Sequence, residues 1–77
     1  MEKRASEISV GDILVFVEEA KRPEDDITYC YEVTGVSEVV AGPLFNPQTV
    51  ISLATVEVET GHPMGFEYHP DTVLVIQ

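Results

Sequence analysis

Residues 27–40, ITYCYEVTGVSEVV, decide the fold of this chain. Ile27, Tyr29, Tyr31 and Val33 occupy alternate positions, with Thr28, Cys30, Glu32 and Thr34 between them. Successive side chains of a strand point to opposite faces of its sheet, so this period of two predicts a half-buried strand. After Gly35 the alternation slips, because Val36, Val39 and Val40 do not keep one parity. A glycine at a phase change predicts a bend or bulge at Gly35, carrying one long strand from one sheet layer into the next.

The segments on either side supply partners for it. Ser9-Val10-Gly11-Asp12 reads as an entry turn, followed by the uninterrupted apolar run 13–17, ILVFV, a strand covered on both faces. Residues 20–26, AKRPEDD, form a charged loop. Residues 41–49, AGPLFNPQT, form a second loop blocked from regular structure by glycine and prolines. Leu44 and Phe45 lie inside that loop, either folded back as a plug on the core, the expectation favoured here, or exposed as a contact site. Residues 50–59 make a third strand, with Ala54, Val56 and Val58 on one face and Thr55, Glu57 and Glu59 on the other. A turn at 60–65 leads into Phe66-Glu67-Tyr68, and His69-Pro70-Asp71 breaks the chain before a final strand at 72–76. Residues 1–7 read as a frayed end or a short turn. Twelve Val, five Ile and six Thr against four Leu and four Ala also favour strands over helices. The expected fold is a single all-β domain over 1–77, a small five-stranded antiparallel barrel or sandwich.

Two stretches resemble SH3-like barrels. GFEYHPDTVLVI (65–76) is similar to their ending, in which a strand runs through a proline-containing corner into a short last strand. ISVGDILVF (8–16) is similar to their Gly-Asp opening. The resemblance implies the SH3-like barrel architecture. The chain has no Trp and no aromatic-rich opening, so the resemblance does not extend to recognition of proline-rich ligands.

Charge narrows the possible partners. Fourteen acidic side chains face four basic ones, a formal net charge of −10 and a pI near 4.2. Lys3, Arg4, Lys21 and Arg22 all lie near the start, and positions 23–77 carry nine carboxylates without one Lys or Arg. Such a surface is repelled by phosphate backbones and anionic lipid, which disfavours direct binding of nucleic acid or membrane. A single cysteine, Cys30, excludes an intrachain disulfide, and neither a signal-peptide core nor a bilayer-length apolar run is present. The expectation is a soluble cytoplasmic chain (host cytoplasm if the source is viral), monomeric or a small homo-oligomer.

Chemistry-bearing patterns are weak. His62 and His69 are seven apart, Cys30 is distant, and Glu24-Asp25-Asp26 lacks the alternate spacing and central glycine of a calcium loop. Cys30 has a carboxylate and no cation among its strand neighbours, which disfavours a reactive thiolate. No phosphate-cradling glycine loop occurs. The reading is no enzyme, no cofactor and no metal site.

What remains is the acidic surface, with Glu32, Glu38, Glu57, Glu59 and Glu67 on strands close enough to form one face, and Tyr29, Tyr31, Phe45 and Tyr68 as candidate anchors. The first functional expectation is a non-enzymatic acidic binder of a basic, nucleic-acid-handling protein surface, acting as viral inhibitors that mimic nucleic acid do. The alternative is a structural or adaptor module, such as a phage assembly component, that binds through a strand edge or the Leu44–Phe45 loop.

Overall fold

The computed structural model describes residues 1–77. Six strands follow one another: β1 (Glu2–Arg4), β2 (Ile13–Glu18), β3 (Ile27–Ala41), β4 (Gln48–Glu57), β5 (Pro63–Tyr68) and β6 (Val73–Val75). Short 3-10 turns occupy Ala5–Glu7 and Pro23–Asp25. β2, β3, β4 and β5 form an antiparallel meander in that order, and β1 pairs with β6 in a second sheet of two strands. A single bridge from Leu14 to Ile76 joins the sheets, beside a 2.9 Å hydrogen bond from the Gln77 amide to the Ile13 carbonyl. The expected all-β fold is therefore present, corrected in two respects. It has six strands, not five, and its sheets do not close into a barrel.

The additional strand comes from the polar segment read above as frayed or a turn. Its side chains carry no apolar alternation, yet its backbone is held at several points. The Ile76 amide donates to the Met1 carbonyl at 2.7 Å and the Ala5 amide to the Thr72 carbonyl at 2.8 Å. Ala5 is fully buried, and Ile8 beside it belongs to the core. Ser9–Asp12 is a turn closed by the Asp12 amide on the Ser9 carbonyl, with Gly11 at φ +100, a conformation that excludes a Cβ without strain. That turn docks on β3 through two bonds to Val33, at 2.9 Å and 2.8 Å.

The expected irregularity in β3 is a β-bulge, but it does not carry the strand into a second layer: β3 stays in the four-stranded sheet along its whole length. Val33 faces Thr55 and Gly35 faces Ala54, so Thr34 is the extra residue. Its hydroxyl donates to the Ala54 carbonyl at 3.2 Å. The bulge changes the parity of the inward face. Tyr29, Tyr31 and Val33 share it before the bulge, and Val36, Glu38 and Val40 share it afterwards. Cross-strand partners point to one side, which places Leu14, Phe16, Ile51, Leu53, Thr55, Phe66 and Tyr68 on that same face.

The core is small. Ala5, Ile8, Leu14, Val33, Ile51, Leu53, Leu74 and Ile76 make it up, with Phe16, Tyr31, Phe66 and Tyr68 packed against it half-buried. The rings interlock, Phe66 lying 5.3 Å from Phe16 and 5.2 Å from Tyr31 between centroids. Of the apolar run that opens β2 only Leu14 is fully enclosed, and Val17 is exposed, so coverage on both faces is not realised.

The molecule is long for its mass. Its radius of gyration is 14.0 Å, against about 11.5 Å for a rounded domain of this length. Extents of 47 × 25 × 22 Å match the reach of β3, whose 15 residues span about 50 Å at 3.3 Å each. Pairing with β2 ends at Glu32 and pairing with β5 ends at Ile51. Beyond those points residues 39–50 form a two-stranded arm held only by its own ladder.

Candidate functional site: a projecting arm and an acidic pole

The arm ends in a turn that presents two apolar side chains. The Asn46 amide donates to the Pro43 carbonyl at 3.0 Å, which puts Leu44 and Phe45 at the two central corners. Pro43 and Pro47 restrict the backbone on either side. Gly42 sits at φ +103, where a Cβ would also come within 3.2 Å of the Asn46 carbonyl. Leu44 is 101% exposed and Phe45 91%. The expected plug on the core is not formed. The ladder runs without a break to the Ala41–Gln48 pair, so the loop is carried away from the body before it can fold back. Val39 and Val40 add exposed apolar surface along the arm, and Val36 does so just before it. From Val39 to Val56 no residue carries a charge.

The other end of the sheet is acidic. The β2–β3 connection and the β4–β5 turn fall at the same end of an antiparallel meander, which gathers Glu18, Glu19, Glu24, Asp25 and Asp26 with Glu57 and Glu59. Lys21 and Arg22 share that connection but form no ion pair; the single pair in the molecule is Lys3–Asp12 at 3.0 Å. The Ala20 amide donates to Asp26 Oδ1 at 2.8 Å, closing the connection on itself. The Tyr29 hydroxyl donates to Glu18 Oε2 at 3.2 Å. That bond, with the negative charge of Glu18 and more weakly of Glu57, raises the phenol above its ordinary pKa. A concavity of about 220 Å³ opens here, lined in part by Tyr29, Cys30, Glu57, Glu59 and Gln77.

The candidate residues are thus separated, not collected on one face. Glu32 and Glu67 lie on the outward side, opposite Val56 and Ser52. Glu57 lies on the inward side opposite Tyr31, and Glu59 falls past the end of β4 in the turn. Glu38 is alone at the root of the arm, opposite Ile51. Tyr31 and Tyr68 belong to the ring cluster around the core, and burial alone raises the Tyr68 phenol. Phe45 is the one aromatic candidate that stands free at the surface. Glu18, Glu19 and the 24–26 run were missed as members of the acidic group. The signal that finds them is topological, since the first and third connections of a meander share an end.

His62 and His69 stay in separate turns, and the Asp71 amide donates to His69 Nδ1 at 3.1 Å. No three His, Cys, Asp or Glu side chains are grouped to hold a metal ion. No helix is long and apolar enough to cross a membrane. No protein-family model matches the chain, no curated protein matches it, and no solved structure matches it.

Proposed function

We propose that this chain is a non-enzymatic binding module, a structural or adaptor component, whose contact organ is the β3–β4 arm. The observation that carries this reading is the fully exposed Leu44–Phe45 pair on a turn fixed by Gly42, Pro43 and Pro47. Isolated exposed apolar residues are ordinary, but two large ones side by side at the tip of a projecting arm form an anchor that a partner can bury. Burying such side chains in a partner is worth about 1.5–3 kcal/mol each, enough to dominate a small interface. The uncharged stretch around them predicts an association that salt leaves nearly unchanged.

The acidic pole favours a second reading, the inhibitor of a basic, nucleic-acid-handling protein surface. Seven carboxylates gathered at one end of the sheet would speed encounter with a cationic groove, and the complex would weaken steeply as salt rises. Affinity capture from the source cell, repeated from low to high ionic strength, separates the two. Retention through the series supports the arm. Loss with added salt, together with loss in Glu57→Lys/Glu59→Lys, supports the pole.

A further inference from the structure

Resting on the pole reading, we propose that the concavity there seats an arginine side chain of a basic partner, carried on an extended segment that pairs with the open flank of β3 at Thr28.

The flank is open because the two ladders of β3 end at different places. Pairing with β2 reaches Ile27, whereas pairing with β4 stops at Tyr31–Glu57. One further bond, 2.9 Å from the Val58 amide to the Cys30 carbonyl, precedes the turn, which is closed by the Gly61 amide on the Glu57 carbonyl at 2.7 Å. The backbone polar groups of a paired strand alternate between its two flanks. Cys30 faces β4, and Val33, of the other parity, exchanges its two bonds with Gly11 and Asp12 on the β2 side. Thr28 shares the parity of Cys30, so its amide and carbonyl point to the flank from which β4 is missing. Such an edge accepts an added strand.

The concavity occupies that gap. Thr28, Tyr29 and Cys30 line it on one side, and Glu57, Val58 and Glu59 on the other. Its volume of about 220 Å³ is below the roughly 300 Å³ at which pockets for drug-sized ligands begin, so it suits one long side chain. Its charged side chains are Glu57 and Glu59. No cation of the chain fills it, since Lys21 and Arg22 on the neighbouring connection are exposed and form no ion pair. The open edge follows from the backbone ladder and the negative lining from side chains, so the two are independent.

A guanidinium fits these groups better than an ammonium does. It presents five donors in a planar fork, has no acceptor, and sheds water more readily. Carboxylate oxygens and the Thr28 carbonyl are the acceptors it meets. Tyr29, its hydroxyl held by Glu18, adds a ring on which the fork can stack, and Val58 and Cys30 offer apolar wall for the stem.

Nuclear magnetic resonance titration of the whole chain at low salt tests this. The probe is acetyl-Thr-Val-Arg-Val-Thr-amide, added from about 0.1 to about 20 mM, the range of a weak contact. Amides of residues 28–30 and 57–59 shift and saturate. The same peptide with citrulline, uncharged but isosteric with arginine, binds at least about tenfold more weakly, as does the arginine peptide with Glu57→Gln/Glu59→Gln. Glu24→Gln/Asp25→Asn removes the same charge from the same pole outside the concavity and costs less than about threefold. Circular dichroism melts of both double variants confirm that they are folded. Equal losses in the two double variants overturn the proposal, and so does a citrulline peptide that binds as well as the arginine one. Agmatine, the same guanidinium and stem without a backbone, binding as tightly as the peptide overturns the pairing at Thr28. If polylysine binds with steep salt dependence while the arginine peptide leaves residues 28–30 and 57–59 unmoved, the concavity falls and the pole reading stands. If neither binds at low salt, both fall.

Discussion

Val33 and Thr55 stand opposite each other where β3 and β4 cross the core, and both are almost wholly enclosed, at 1% and 2% exposure. The Thr55 hydroxyl donates to the Met64 carbonyl at 2.7 Å, so its polar atom is satisfied in place. The neighbouring residue Ala54 faces outward. Thr55→Asp should therefore unfold the domain at neutral pH by burying an unpaired charge, while Ala54→Asp should cost under about 1 kcal/mol. Chemical denaturation of the pair measures this, and equal losses would show that the faces are misassigned.

The Ser9–Asp12 turn gives a pH signature. The Ser9 amide donates to Asp12 Oδ2 at 2.9 Å and Lys3 lies 3.0 Å away, which together hold the carboxyl below its usual 3.8. A depressed carboxyl stabilises the fold above its unfolded pKa, and the contribution disappears as pH falls through the folded value. Asp12→Ala should destabilise the protein by about 1 kcal/mol at pH 7 through loss of the Ser9 hydrogen bond, with the deficit shrinking as pH drops below about 4. Urea titrations of both proteins at several pH values read the difference.

Leu14 is the side chain on which both sheets converge, fully buried and bridged to Ile76. Leu14→Ala should cost about 3 kcal/mol, a large share of the roughly 4–12 kcal/mol available to a chain of this size. Its melting temperature should fall by more than about 12 °C. By contrast, Leu44→Ala with Phe45→Ala removes only exposed groups and should change stability by no more than about 0.5 kcal/mol.

Tyr29 reports on the acidic pole. Its phenol is raised chiefly by the hydrogen bond to Glu18. Glu18→Gln removes that charge, and ultraviolet titration should then show Tyr29 ionising closer to pH 10, its ordinary value. An unchanged titration would mean that Glu18 and Tyr29 do not meet in solution.

Much of the strand order follows from patterns that sequence makes plain. Period-two alternation places the first half of β3, and the slip after Gly35 marks the bulge to within one residue. Three features were hidden, each for a physical reason. β1 consists of Glu2, Lys3 and Arg4, and backbone pairing to β6 orders them without any side-chain pattern. In β4 the run of Ile51, Leu53 and Thr55 competes with Ala54, Val56 and Val58 of the opposite parity. The two larger aliphatic side chains, and a hydroxyl satisfied by the Met64 carbonyl, take the core. Leu44 and Phe45 look like buried residues by composition, and only the unbroken ladder of the arm shows that they cannot return to the body. Glu32 and Glu67 keep the polar parity of their own strands, whereas the register puts Glu38 and Glu57 on the inward side and leaves Glu59 in a turn.

The role of the arm tip is tested most directly by comparing the native chain with Leu44→Ala/Phe45→Ala in quantitative binding to whichever protein the chain retains, at one high salt concentration. Retained binding by the native chain and a loss of at least about tenfold in the double variant, with an unchanged melting temperature, is the outcome predicted here. Equal affinity of the two proteins, or binding that vanishes for both once salt is raised, would contradict it.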